Sequence, residues 1–179
     1  MSQIKVDSIV PSGGLPAGAS GGGIIQVVQT VKSDTFSASN TSTFTDITGL
    51  SATITPNSTS NKILVRYNVA SSVTNGAYTF HIRLVRGSTD IAQGDTDGSK
   101  IQATTSAYSG SSNAGYPIYY QVCEFLDSPA TTSATTYKLQ SRGWNTTAGT
   151  YSVNQSRDEN DSANFARIIS TITLYEISG

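Results

Sequence analysis

The single histidine of the chain, His81, stands in the run AYTFHIRLVRG. An imidazole held beside a nucleophile is the usual base for hydrolytic chemistry. Here, alternation puts Tyr78, Phe80, Ile82 and Leu84 on one side of a strand and Thr79, His81 and Arg83 on the polar side. His81 therefore reads as a strand residue rather than a catalytic base. Acidic residues gather in two turns: Asp95 and Asp97 in GDTDG, and Asp158, Glu159 and Asp161 in RDENDS. Oxygens at this spacing suit Ca²⁺, but neither segment has the full register of a calcium loop, and solvated acidic turns are the expectation. A pair of carboxylates for sugar cleavage needs a set separation that sequence spacing does not supply. The chain is read as non-enzymatic, with no cofactor and no metal. Cys123, the only cysteine, excludes an intrachain disulfide framework and cannot alone build a thiolate metal site. Trp144, the only tryptophan, falls at a predicted turn in RGWNTTAGTY, where an aromatic can grip a sugar or a protein partner or close the end of a sandwich. Trp144, Asp95 and Asp97 form the candidate exposed binding rim.

The elements that must position these residues are strands. Of the 179 residues, 51 are Ser or Thr, against seven Leu and three Glu, so good helix formers are scarce. Nine Tyr, five Phe and recurring Ile/Val runs supply the apolar surface that a disordered chain lacks. In KILVRYNVA, Ile63, Val65, Tyr67 and Val69 share one face, with Lys62, Arg66 and Asn68 opposite. Asn75-Gly76 then suits a tight turn before the His81 strand. Further strands are expected at Ile24 to Lys32, Thr43 to Thr48, Ser51 to Thr55, Tyr116 to Phe125, Thr135 to Arg142, Thr150 to Gln155 and Arg167 to Ile177. Many short strands between Gly, Asn, Ser and Thr turns predict an all-β fold, a jelly-roll-like β-sandwich, over residues 24–179. The segment from Gly94 to Tyr116 lacks strong patterning and reads as a long loop.

Two strands break clean alternation. Ile118, Tyr120 and Val122 lie on one face of YPIYYQVCEF and Tyr119, Cys123 and Phe125 on the other, while RIISTITLYEI is apolar on both faces too. Strands apolar on both faces are covered on both faces, by another subunit or by a long loop. Ile118, Tyr119, Tyr120, Val122, Cys123 and Phe125 are thus the candidate trimer interface. The formal net charge is −1 and the eleven Lys and Arg are scattered, so no basic stripe tracks a phosphate backbone and nucleic acid is not an expected partner. No apolar run is long enough to span a membrane, and no basic-then-apolar leader opens the chain.

Residues 1–10 form a short patterned arm, with Ile4 and Val6 on one side and Ile9 and Val10 at its end. Residues 11–23 form a hinge with six glycines, spanning roughly 20 Å as a flexible coil. A strand-like segment without a local partner is suited to adding itself to a sheet edge on another protein; the alternative is a disordered tail.

The stretches SQIKVDSIVP, GGGIIQVVQTVKSDTFS, LSATITPNSTSNKILV and RLVRGSTDIAQGD resemble small virion structural proteins of tailed phages, particularly those infecting marine cyanobacteria. The resemblance spans most of the chain as ordered blocks and is weaker between Gly98 and Gly115 and between Asp127 and Asn164. It implies a C-terminal domain similar to the trimeric jelly rolls of the complement C1q and tumour-necrosis-factor type. It also implies a homotrimer made in the host cytoplasm and placed on the outer surface of the virion, with the arms docked on capsid or tail proteins. The absence of a shaft favours capsid decoration or a short head-attached fibre. The other reading is a receptor-binding tip that touches host surface glycans.

Overall fold

In the computed structural model, residues 23–39, 41–73, 79–108, 118–144, 149–157 and 160–179 are described. The arm residues Ile4, Val6, Ile9 and Val10, the hinge up to Gly22 and the Asn75-Gly76 turn lie outside them. The described residues contain no helix; their strands are β1 (Ile24–Lys32), β2 (Phe36–Ser39), β3 (Thr45–Ile54), β4 (Lys62–Val73), β5 (Thr79–Arg86), β6 (Thr89–Ile91), β7 (Thr105–Tyr108), β8 (Tyr119–Asp127), β9 (Thr135–Gly143), β10 (Thr150–Val153) and β11 (Ser170–Ile177).

They build two antiparallel sheets. One runs β1-β11-β4 with β8 on the other side of β4, and β10 and β2 extend it beside the last residues of β4. The other runs β3-β9-β5, with β6 and β7 pairing successive parts of β5. The antiparallel couples β1·β11, β3·β9, β4·β8 and β5·β7 nest from the outermost pair inward along the chain. That nesting is the winding of a jelly roll.

The inward residues predicted for KILVRYNVA and AYTFHIRLVRG lie in the core, except Tyr78, which lies outside the described residues. Ile63, Val65, Tyr67 and Val69 of β4 meet Phe80, Ile82 and Leu84 of β5, Tyr137 and Leu139 of β9, and Ile172 and Leu174 of β11, all of them buried. Phe80 and Tyr151 rings lie 5.0 Å apart. Each such side chain contributes roughly 1.5–3 kcal/mol by leaving water.

Three details differ from the sequence reading. Thr43 to Thr48 and Ser51 to Thr55 are one strand, β3, interrupted by a bulge between Asp46 and Ser51. Gly49 sits in that bulge at φ +85°, a conformation that costs glycine little. The Gly94 to Tyr116 segment is not all loop: β7 lies within it, paired with Thr79 to Ile82. The short strands β2 and β6 were likewise not foreseen, because three or four residues rich in Ser and Thr carry too little periodicity to register.

Register also fixes which end is which. Gly23, where the described chain begins, accepts a hydrogen bond from Ser178 N at 3.0 Å, beside the start of β4. Asp127 and Arg86 lie at this same end, joined at 2.8 Å. Val73, Thr79, Tyr108, Tyr119 and Gly143 mark the opposite, distal end, about 25 Å away for strands of this length.

Candidate functional site

The two outward faces of the sandwich differ in kind. On β3-β9-β5, polar side chains satisfy one another within the chain. Lys138 Nζ donates to Asp46 at 2.9 Å and Gln140 Nε2 to the same carboxylate at 2.7 Å. Arg83 donates to Asp90 at 2.6 Å and to Gln140 at 3.2 Å. The bond from Lys138 holds the Asp46 carboxyl below the usual carboxylate range.

The outer face of β1-β11-β4-β8 mixes exposed apolar side chains with a polar middle row of Gln29, Thr173, Arg66 and Glu124, in which Gln29 Nε2 donates to Thr173 Oγ1 at 2.9 Å. Cross-strand register aligns Val27, Tyr175, Leu64 and Leu126 in one row across all four strands. A second row holds Val31, Thr171, Asn68 and Val122. Tyr120 follows, opposite Ala70. Val27, Val31, Tyr120, Val122 and Leu126 are 55%, 50%, 59%, 50% and 46% exposed. Between the rows lies an exposed ion pair, Arg66 to Glu124 at 3.2 Å. These five side chains leave on the order of 400 Å² in water. Covering it is worth roughly 10 kcal/mol per protomer before the costs of association.

The sequence-derived interface set divides along this sheet. Tyr120 and Val122 point outward. Cys123 and Phe125 pack inward against the core, and burial, with the Glu124 charge beside it, raises the Cys123 thiol above its ordinary range. Ile118 and Tyr119 are half-buried at the distal start of β8. Val27, Val31 and Leu126 were not singled out from sequence. For the two valines the signal is the run IIQVVQTVK, in which Val27 and Val28 are adjacent and so place apolar side chains on both faces of the strand.

Of the rim residues, Trp144 follows Gly143 at the distal end of β9 and is half exposed. Asp95 and Asp97 are exposed and follow β6, which pairs with Leu84 to Arg86; Asp97 forms an ion pair with Lys100. Strand pairing places Tyr108, not these aspartates, beside the strand end that carries Trp144. No group of three or more His, Cys, Asp or Glu side chains among the described residues is arranged to hold a metal; Asp158 and Glu159 lie outside them. His81 is half-buried on the outer face of β5, between Ser106 of β7 and Arg142 of β9. Burial, with Arg142 alongside, lowers its pKa, so the imidazole is neutral at pH 7. Among the described residues nothing hydrogen-bonds its Nε2.

No family model matches the chain, and no curated protein does. Among solved structures, a chain from the "Structure of infectious bursal disease virus Gx strain" aligns with it at a TM-score of 0.35 and 14% identity. The alignment covers 84% of this chain and 37% of that one, so this chain spans well under half the length of its match. The jelly-roll assignment rests on strand pairing alone.

Proposed function

We propose that the chain is a non-enzymatic structural protein of a tailed-phage virion, a homotrimer whose β1-β11-β4-β8 faces pack on one another and whose N-terminal arms dock on the particle. The observation that carries this reading is the contrast between the two outer faces. One carries mutually paired ions and hydrogen bonds over much of its length, while the other leaves Val27, Val31, Tyr120, Val122 and Leu126 in water around one exposed ion pair, an apolar exposure in the size range that is often functional. Three-fold packing is what the resemblance to phage virion proteins of the C1q type implies. Three arms docking together gain affinity from their shared tether, so each contact can be weak. Capsid decoration fits an arm, a hinge and a head without a shaft.

Gold labelling of intact particles of the encoding phage, with an antibody against the head domain, tests it. Grains spread over the capsid are expected. Unlabelled particles, with the protein free in the lysate, would overturn the virion assignment. Grains confined to the tail would replace decoration with host recognition.

A further inference from the structure

At the distal end, the outer face of the second sheet departs from the self-satisfied pattern of its other half. Arg66, Arg83 and Arg86 each pair with a carboxylate, Glu124, Asp90 and Asp127 respectively. Among the described residues no carboxylate pairs with Arg142. It donates instead to the carbonyls of Gly143 at 3.1 Å and Trp144 at 3.4 Å, and its guanidinium lies 5.7 Å from the Phe44 ring. Burial disfavours its charge, so this cation is partly stripped of water without an anion to compensate.

Next to it, two polar atoms lack hydrogen-bond partners. Thr79 Oγ1 and His81 Nε2 are both shielded from solvent and both unbonded. They lie two residues apart on the same strand, hence on the same face. Two aromatic side chains flank them: Tyr108 is directly opposite Thr79 on β7, and Trp144 follows the Gly143 that pairs with Phe80 on β9. Tyr108 is 59% and Trp144 50% exposed. Two strand spacings separate their strands, about 10 Å, the width that admits a pyranose ring.

We propose that this patch binds an acidic glycan. A sugar carboxylate pairs with Arg142, and the apolar faces of the sugar stack on Tyr108 and Trp144. Each element answers a feature of such a ligand: amphipathic aromatics suit the C–H faces of a pyranose, and a planar guanidinium suits a carboxylate. The patch lies on the sheet opposite the apolar face, so it does not depend on the trimer assignment.

The test is calorimetric titration of the full chain with carboxylated oligosaccharides (oligogalacturonate, oligomannuronate and sialyllactose), their neutral counterparts and hexaglutamate. At least one acidic glycan is expected to bind, tenfold or more tighter than its neutral counterpart and than hexaglutamate. Arg142→Gln, Trp144→Ala and Tyr108→Ala should each weaken it at least tenfold, and Arg66→Gln, on the other face, should not. Should Arg142→Gln fail to fold, the two aromatic variants decide. Failure of every acidic glycan to bind, equal binding of the neutral sugars, or binding unchanged by the aromatic variants would overturn the proposal. Hexaglutamate binding as tightly would make the patch a site for acidic peptides instead. A Val122→Glu variant should keep its affinity for a trisaccharide, so a wrong trimer interface would not be mistaken for a wrong glycan site.

Discussion

At the scale of single residues, the interior holds polar groups that work by being satisfied. Asn154 is fully buried at φ +65°, with Nδ2 donating to the carbonyls of Lys32 at 2.8 Å and Asp34 at 2.9 Å, and Oδ1 accepting from Ser170 at 2.6 Å. One side chain thereby ties β1, β10 and β11. His81 is the contrary case, a titratable group held without a partner. Its folded pKa lies below the ordinary 6.5, so protonation favours the unfolded chain. Its stabilising contribution is complete above pH 6.5 and is lost as pH falls from there toward the lowered folded value. The Asp46 contribution disappears only below its ordinary 3.8, so the two windows separate. A melting series should show a decline beginning near pH 6.5 that His81→Gln flattens; an identical decline in the variant would assign it to other groups. The outward placement of His81 was legible from alternation alone. Its missing partner and the Asn154 knot were not, since both depend on contacts between residues far apart in sequence.

At the scale of elements, the two sheets are clamped at the Gly23 end by charge as well as by packing. Asp127, at the end of β8, receives Arg86 Nη1 of β5 on both oxygens at 2.8 Å and Tyr137 of β9 at 2.6 Å. The same contact, added to burial, pushes the Tyr137 phenol above its usual range. Removing a buried member of such a cluster leaves charge and hydroxyl without partners. Asp127→Ala should cost about 2–3 kcal/mol, lowering the melting temperature by roughly 5–10 °C; an unchanged temperature would show that the clamp contributes nothing. The long strands β1, β4, β5, β8, β9 and β11 were legible because each carries seven or more residues of apolar patterning. The bulge at Gly49 joined what sequence divides, and β7 escaped notice because TSAY takes its inward side from pairing with β5.

At the scale of the whole molecule, the jelly roll has one end at which Gly23 lies, one distal end bearing Tyr108 and Trp144, one flank of paired polar groups and one flank with exposed apolar side chains. Sequence foresaw half of the apolar flank in Tyr120 and Val122, because YPIYYQVCEF is visibly apolar on both sides. The other half, on β1, became visible only when register set Val27 and Val31 in line with Leu126 and Val122. The account stands on that flank being a contact between copies. The measurement that tests it is the solution mass of the full chain by sedimentation equilibrium, alongside a Val27→Glu/Val122→Glu variant whose circular dichroism shows an intact β fold. The account predicts three times the mass of a single chain for the native protein and the single-chain mass for the variant. A native monomer, or a variant that stays trimeric, would contradict it.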